Sequence, residues 1–152
     1  MTRDQARARA KAYFDDRESG YFADLATLVG YPTESQHAAG LPHLSAYLTE
    51  AIGPMFEAAG FDCTIYANPF DVSGPVLLAS RLEDPALPTL LVYGHGDVVM
   101  GMEGAWDNDM DPWSLTFEGD RVYGRGTADN KGQHLAQLTA LRSVLDLSLI
   151  HI

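Results

Sequence analysis

The chain has 152 residues, an ordinary apolar fraction and a formal charge of −11, which suits one globular domain and argues against nucleic acid or an anionic membrane as partner. Cys63 is its only cysteine, so neither an intrachain disulfide nor a cysteine-rich zinc cage can form. The start, Met1 to Ala8, has no apolar core of a signal peptide, and no run is long enough to span a bilayer. A soluble, cytoplasmic protein is the expectation.

In chain order, residues 2–18 are rich in Ala and Arg and favour helix. Tyr13, Phe14, Tyr21, Phe22, Leu25, Leu28 and Val29 extend an apolar face around a weak point at Gly20, until Tyr31-Pro32 stops the helix. Leu41, Leu44, Tyr47, Leu48, Ala51, Ile52, Met55 and Phe56 recur at three-and-four spacing, which predicts an amphipathic helix. Gly53-Pro54 either kinks or restarts it, and Gly60 stops it. Phe61–Ala67 and Val76–Leu82 read as strands separated by a turn at 68–75. The apolar run Leu90-Leu91-Val92-Tyr93 reads as a buried central strand. Residues 100–120 hold two Trp and an acidic series without periodicity, a long loop that needs a functional reason. Arg121–Tyr123 reads as a short edge strand, and Leu135, Leu138, Leu141, Val144 and Leu145 predict a last helix from Lys131. The fold class is α/β, with helices packed on a mixed, mostly parallel sheet.

Two glycine-rich loops carry the chemistry. Gly94-His95-Gly96-Asp97 follows the predicted central strand, where ligand sites of open α/β sheets lie. Gly124-Arg125-Gly126-Thr127-Ala128-Asp129-Asn130-Lys131-Gly132 delivers another carboxylate just ahead of a helix. Neutral imidazole and carboxylate are good ligands for zinc, cobalt or manganese. His95 offers a nitrogen, Asp97 can brace the imidazole from behind, and Asp129 has two oxygens with which to bridge a pair of ions.

These two motifs together resemble those of the M20 metallopeptidases, a group of carboxypeptidases, dipeptidases, aminoacylases and deacylases. The resemblance runs from the turn Pro32-Thr33-Glu34-Ser35 to the last helix. It implies His95 and Asp129 as metal ligands, Asp97 as the catalytic-site residue that orients His95, and two divalent metal ions, zinc with cobalt or manganese as alternatives. It also implies a cis peptide at Asp129–Asn130 and a Trp-rich loop at Trp106–Trp113 beside the cleft. The expected substrate is a small peptide or N-acyl amino acid, and the expected whole protein a homodimer. The family's Glu-Glu pair, its later acidic ligand and its second His have no counterpart here. Residues 1–146 are therefore expected to be the N-terminal portion of a catalytic domain, inactive alone, with 147–152 a frayed or non-native tail.

Plainer readings stand beside these. Asp129 could serve only as a helix N-cap, and Asp97 as a turn residue. His134 is expected to face outward, and His37, His43 and His151 to lie on the surface. Trp106 and Trp113 are expected to pack, Asp107, Asp109 and Asp111 to form a solvated acidic loop rather than a calcium loop, and Cys63 to be buried and inert. A non-catalytic binding module retaining the fold is the alternative function. A dinucleotide-binding fold is disfavoured, because the third glycine of its fingerprint would fall at Asp129.

Overall fold

The computed structural model describes residues 3–16, 18–70 and 74–146; the proposed tail at 147–152 and His151 lie outside them. Helix α1 (Arg3–Asp15) and helix α2 (Tyr21–Val29) are separate. The break is built by Asp16, whose carboxylate accepts hydrogen bonds from the Glu18 and Ser19 amides at 3.0 and 2.9 Å. Gly20 permits the turn, since a Cβ there would lie 2.0 Å from the Tyr13 carbonyl oxygen. The two helices are tied by Tyr13 Oη donating to Asp24 Oδ2 at 2.7 Å, and by tilted ring contacts of Phe14 with Tyr21 and Phe22.

The predicted second helix is continuous but changes register. It runs as α3 (Leu41–Ala46), a π-helical segment (Tyr47–Ile52) and α4 (Gly53–Ala58). Pro54 cannot donate a hydrogen bond, and wider turns commonly absorb such a defect. Gly60 ends the helix at φ +80°, the left-handed stop that glycine tolerates.

The hairpin β1 (Asp62–Tyr66) and β2 (Val76–Ser80) pairs antiparallel, with Thr64 opposite Leu78. A smaller antiparallel pair, β3 (Thr116–Glu118) and β4 (Arg121–Tyr123), closes the long loop. Helix α5 (Lys131–Asp146) completes the described chain. The core lies between α2, the π segment and α5, from Leu25, Leu28, Val29, Tyr47, Ala51, Ile52, Leu135 and Leu138. Each Leu, Ile and Val among them gains about 1.5–3 kcal/mol from leaving water.

The α/β class holds, with one correction. The run 89–94 joins no ladder among the described residues, and Leu90, Leu91 and Tyr93 are 76%, 89% and 77% exposed. An apolar run signals a preference for burial, yet a strand exists only where a second backbone supplies partners. Both described ladders are antiparallel, and the parallel pairing is the isolated bridge Glu34–Val98. No helix among the described residues is long and apolar enough to cross a membrane.

Candidate metal centre

The loop that follows residues 89–94 is held by the turn after α2. Val98 N donates to Thr33 O at 2.9 Å, Ser35 N to Val98 O at 3.4 Å, and Thr33 Oγ1 to Gly96 O at 2.5 Å. Glu34 Oε1 accepts the Gly101 amide at 2.6 Å. Two glycines allow close approach on the inner side. A Cβ at Gly94 would lie 2.6 Å from His134 Cβ, and one at Gly96 2.4 Å from Tyr47 Cε1.

This clamp places His95 between two carboxylates. Its Nδ1 lies 3.1 Å from Asp97 Oδ1 and 3.2 Å from the Asp97 carbonyl oxygen. Asp97 Oδ2 in turn accepts from Ser35 Oγ at 2.8 Å. On the other edge of the ring, His95 Nε2 lies 3.1 Å from Asp129 Oδ1. With two oxygen acceptors at Nδ1, the ring proton belongs there, which leaves the Nε2 lone pair facing a carboxylate oxygen. Two electron-pair donors at that distance call for a proton or a cation between them. His95, Asp97 and Asp129 open onto one pocket of ≈ 280 Å³, shared with Gln36, Arg125 and Thr127.

Asp129 reaches the pocket from the loop before α5, and the Asp129–Asn130 peptide is cis. Its side chain is 81% exposed, with one carboxylate edge toward His95, and it stands just ahead of a helix N-terminus, which favours negative charge. The loop is braced by Arg125 N donating to Pro112 O at 2.7 Å and Gly132 N to Gly126 O at 3.3 Å. The Arg125 guanidinium lies 5.2 Å from the Trp106 ring centroid. Trp106 Nε1 donates to Gly101 O at 2.7 Å and Trp113 Nε1 to Glu103 Oε1 at 2.6 Å, so both indoles act in packing the loop. Asp107, Asp109 and Asp111 are exposed, as are His37 and His43, and Cys63 is half-buried on β1.

Behind the pocket lies a buried polar layer. His134, expected to face outward, points inward and is 7% exposed. Its Nε2 hydrogen-bonds the Tyr47 hydroxyl, and its Nδ1 lies 3.1 Å from Asn130 Oδ1. The same oxygen accepts the His95 amide at 3.1 Å. Burial, reinforced by the charges of Lys131 and His95, pushes the His134 imidazole down to about 4. Lys131 is fully buried; its Nζ donates to Leu28 O at 2.9 Å and Tyr31 O at 2.7 Å, and burial pushes it down to about 7. Burial likewise raises the Tyr47 hydroxyl well above its ordinary value. His134 shares a helix face with Lys131, Leu135 and Leu138, a spacing that marks it as inward-facing; the roles of Ser35, Tyr47 and Asn130 carry no comparable signal.

Comparison with known proteins agrees with the motifs. The sequence profile described as peptidase family M20/M25/M40 matches residues 91–150. The Beta-Ala-His dipeptidase of Mus musculus is 43% identical over 68 residues, 44% of this chain and 13% of that protein. The acetylornithine deacetylase of Salmonella arizonae is 33% identical over 117 residues, 77% of this chain and 30% of that protein. The crystal structure of human carnosine dipeptidase 1 superposes with a TM-score of 0.79 at 26% identity, over 93% of this chain and 31% of that one. The chain thus spans less than a third of the length of each of these relatives.

Proposed function

We propose, for a chain that belongs to the peptidase family M20/M25/M40, a part in the metal-dependent hydrolysis of an amide bond in a dipeptide or N-acyl amino acid. The observation that carries this reading is the 3.1 Å approach of His95 Nε2 to Asp129 Oδ1, with Nδ1 occupied by Asp97 on the far edge of the ring. The donor set fits a divalent cation. Two ligands of a tetrahedral zinc, each about 2.0–2.1 Å from it, sit roughly 3.3 Å apart, close to the observed separation. The chemistry suits zinc, with cobalt or manganese as alternatives.

In this reading His95 and Asp129 are the ligands. Asp97 fixes the imidazole tautomer and raises its basicity, as carboxylates behind metal-bound histidines do. Ser35 holds Asp97 through its hydroxyl. The second oxygen of Asp129 would serve a neighbouring ion. When bound, a pair of such ions supplies Lewis acidity and a water of lowered pKa. The chain's own groups keep the donors aimed and the ring proton at Nδ1. Among the described residues no group of three or more His, Cys, Asp or Glu is arranged to hold a metal, and catalytic zinc sites use three protein ligands. We therefore assign this chain a partial site, with cation affinity but without turnover on its own.

The test is hydrolysis of dipeptides and N-acetyl amino acids by the full-length gene product. Activity should vanish on chelation, return with zinc or cobalt, and fall by at least about 10³-fold in Asp129→Ala. Activity that survives both chelation and Asp129→Ala overturns the reading. The partial ligand set also favours a second reading, a binding module without catalysis; zinc binding by the full-length protein with no hydrolysis of either substrate class would select it.

A further inference from the structure

The candidate centre leaves the buried layer behind it without a role. Tyr47, His134 and Asn130 are 1%, 7% and 9% exposed, so each polar atom there must be paired or carry a penalty. The bonds run in one direction. Asn130 Nδ2 donates to Gln133 Oε1 at 2.7 Å, which turns Oδ1 toward both His95 N and His134 Nδ1. A carbonyl oxygen needs donors, so the His134 proton sits on Nδ1 and Nε2 accepts from the Tyr47 hydroxyl. The chain thus reads Tyr47 to His134 to Asn130, and the oxygen on which it ends also receives the His95 amide. Packing gives a second link: the place a Gly94 Cβ would occupy lies 2.6 Å from His134 Cβ and 3.1 Å from Asn130 Oδ1. The main chain entering His95 therefore rests on these two side chains. A leucine at position 134 would satisfy the apolar helix face but could not orient the amide of Asn130.

We propose that His134 is a positioning residue: braced by Tyr47, it fixes the Asn130 side chain, which holds the backbone of His95 and so sets where the imidazole meets Asp129. The consequence for metal binding rests on the function proposed above, while the placement of His95 does not.

Two near-isosteric substitutions separate the ends of the imidazole. His134→Asn keeps a donor near the position of Nδ1 and loses Tyr47; His134→Gln reaches Tyr47 and leaves Asn130 short of a donor. The readouts are hydrogen exchange of the His95 amide, followed by NMR on protein labelled with 15N-histidine, and zinc affinity by calorimetry. The Asn variant, which loses the Tyr47 bond, should speed exchange only about threefold and keep zinc affinity within about threefold, whereas the Gln variant should speed exchange about tenfold and weaken zinc by about 10–100-fold, the range for groups behind metal ligands. Where position 134 tolerates neither change, Tyr47→Phe removes only the hydroxyl and should speed His95 exchange by about threefold. Unchanged exchange in the Gln variant, or equal loss in the Asn and Gln variants, overturns the proposal, as does unchanged exchange in Tyr47→Phe. Wild-type protein that binds no zinc but follows the exchange pattern overturns the metal reading and supports the placement of His95 by His134.

Discussion

Lowering the pH from 7 to 4 should expose His134 as a specific acid-sensitive point in the fold. Its imidazole moves from an ordinary 6.5 to about 4 in the folded chain, chiefly through burial and secondarily through the charges of Lys131 and His95. The folded value lies below the unfolded one, so the unfolded chain binds the extra proton between them. Stability from this group is therefore fully present above pH 6.5 and is lost as the pH falls through about 4. A separation of about 2.5 pH units corresponds to about 3 kcal/mol, a large part of the stability of a small domain. Urea unfolding of wild type and His134→Asn at pH 7, 6, 5 and 4 isolates the effect, because all other titrating groups are common to both. The stability difference between the two should shrink by about 3 kcal/mol across the series. A difference that stays constant with pH would mean that the imidazole is solvated or already charged in the fold, and the burial argument would fail.

Other substitutions probe separate parts of the structure. Leu135, fully buried between α2 and the π segment, should cost about 2–5 kcal/mol when cut to Ala, read as a fall in the urea midpoint at unchanged slope. Gly94→Ala forces a methyl group against His134 Cβ and Asn130 Oδ1; a loss of about 1–3 kcal/mol is expected from overpacking, and calorimetry should show weaker zinc binding alongside it. Tyr21→Phe removes a 2.8 Å hydrogen bond to Gly132 O across the start of α5 and should cost about 0.5–1.5 kcal/mol in the same unfolding assay.

How far the fold was legible depended on the range of the interactions. Local patterns served well: the spacing from Leu41 to Phe56 marked one long helix, Gly60 its stop, and the β-branched run around Thr64 and Ile65 the first strand of the hairpin. Tyr31-Pro32 marked the end of α2, which closes at Val29. Gly20 marked a weak point, although the full break came from the Asp16 side chain capturing two amides. The central strand at 89–94 failed because pairing is a property of two segments, and only one of them can be seen in a hydrophobic run. Within the candidate site, His95, Asp97 and Asp129 are legible as candidates because each stands in a short glycine-rich loop. A lone histidine suits either face by residue type, and it is the spacing of His134 from Leu135 and Leu138 that puts it on the buried one. Lys131 is harder to foresee. A lysine is rarely buried, and its acceptors, the carbonyls of Leu28 and Tyr31, are about 100 residues away in the chain.

The proposed convergence of His95 and Asp129 on one cation is tested most directly by cobalt(II) titration followed by visible absorption. The wild-type protein should develop bands of a low-symmetry nitrogen–oxygen site, and the bands should shift or vanish in both His95→Ala and Asp129→Ala, with affinity down by at least about tenfold. Bands and affinity unchanged in either variant would place the metal elsewhere and contradict the account.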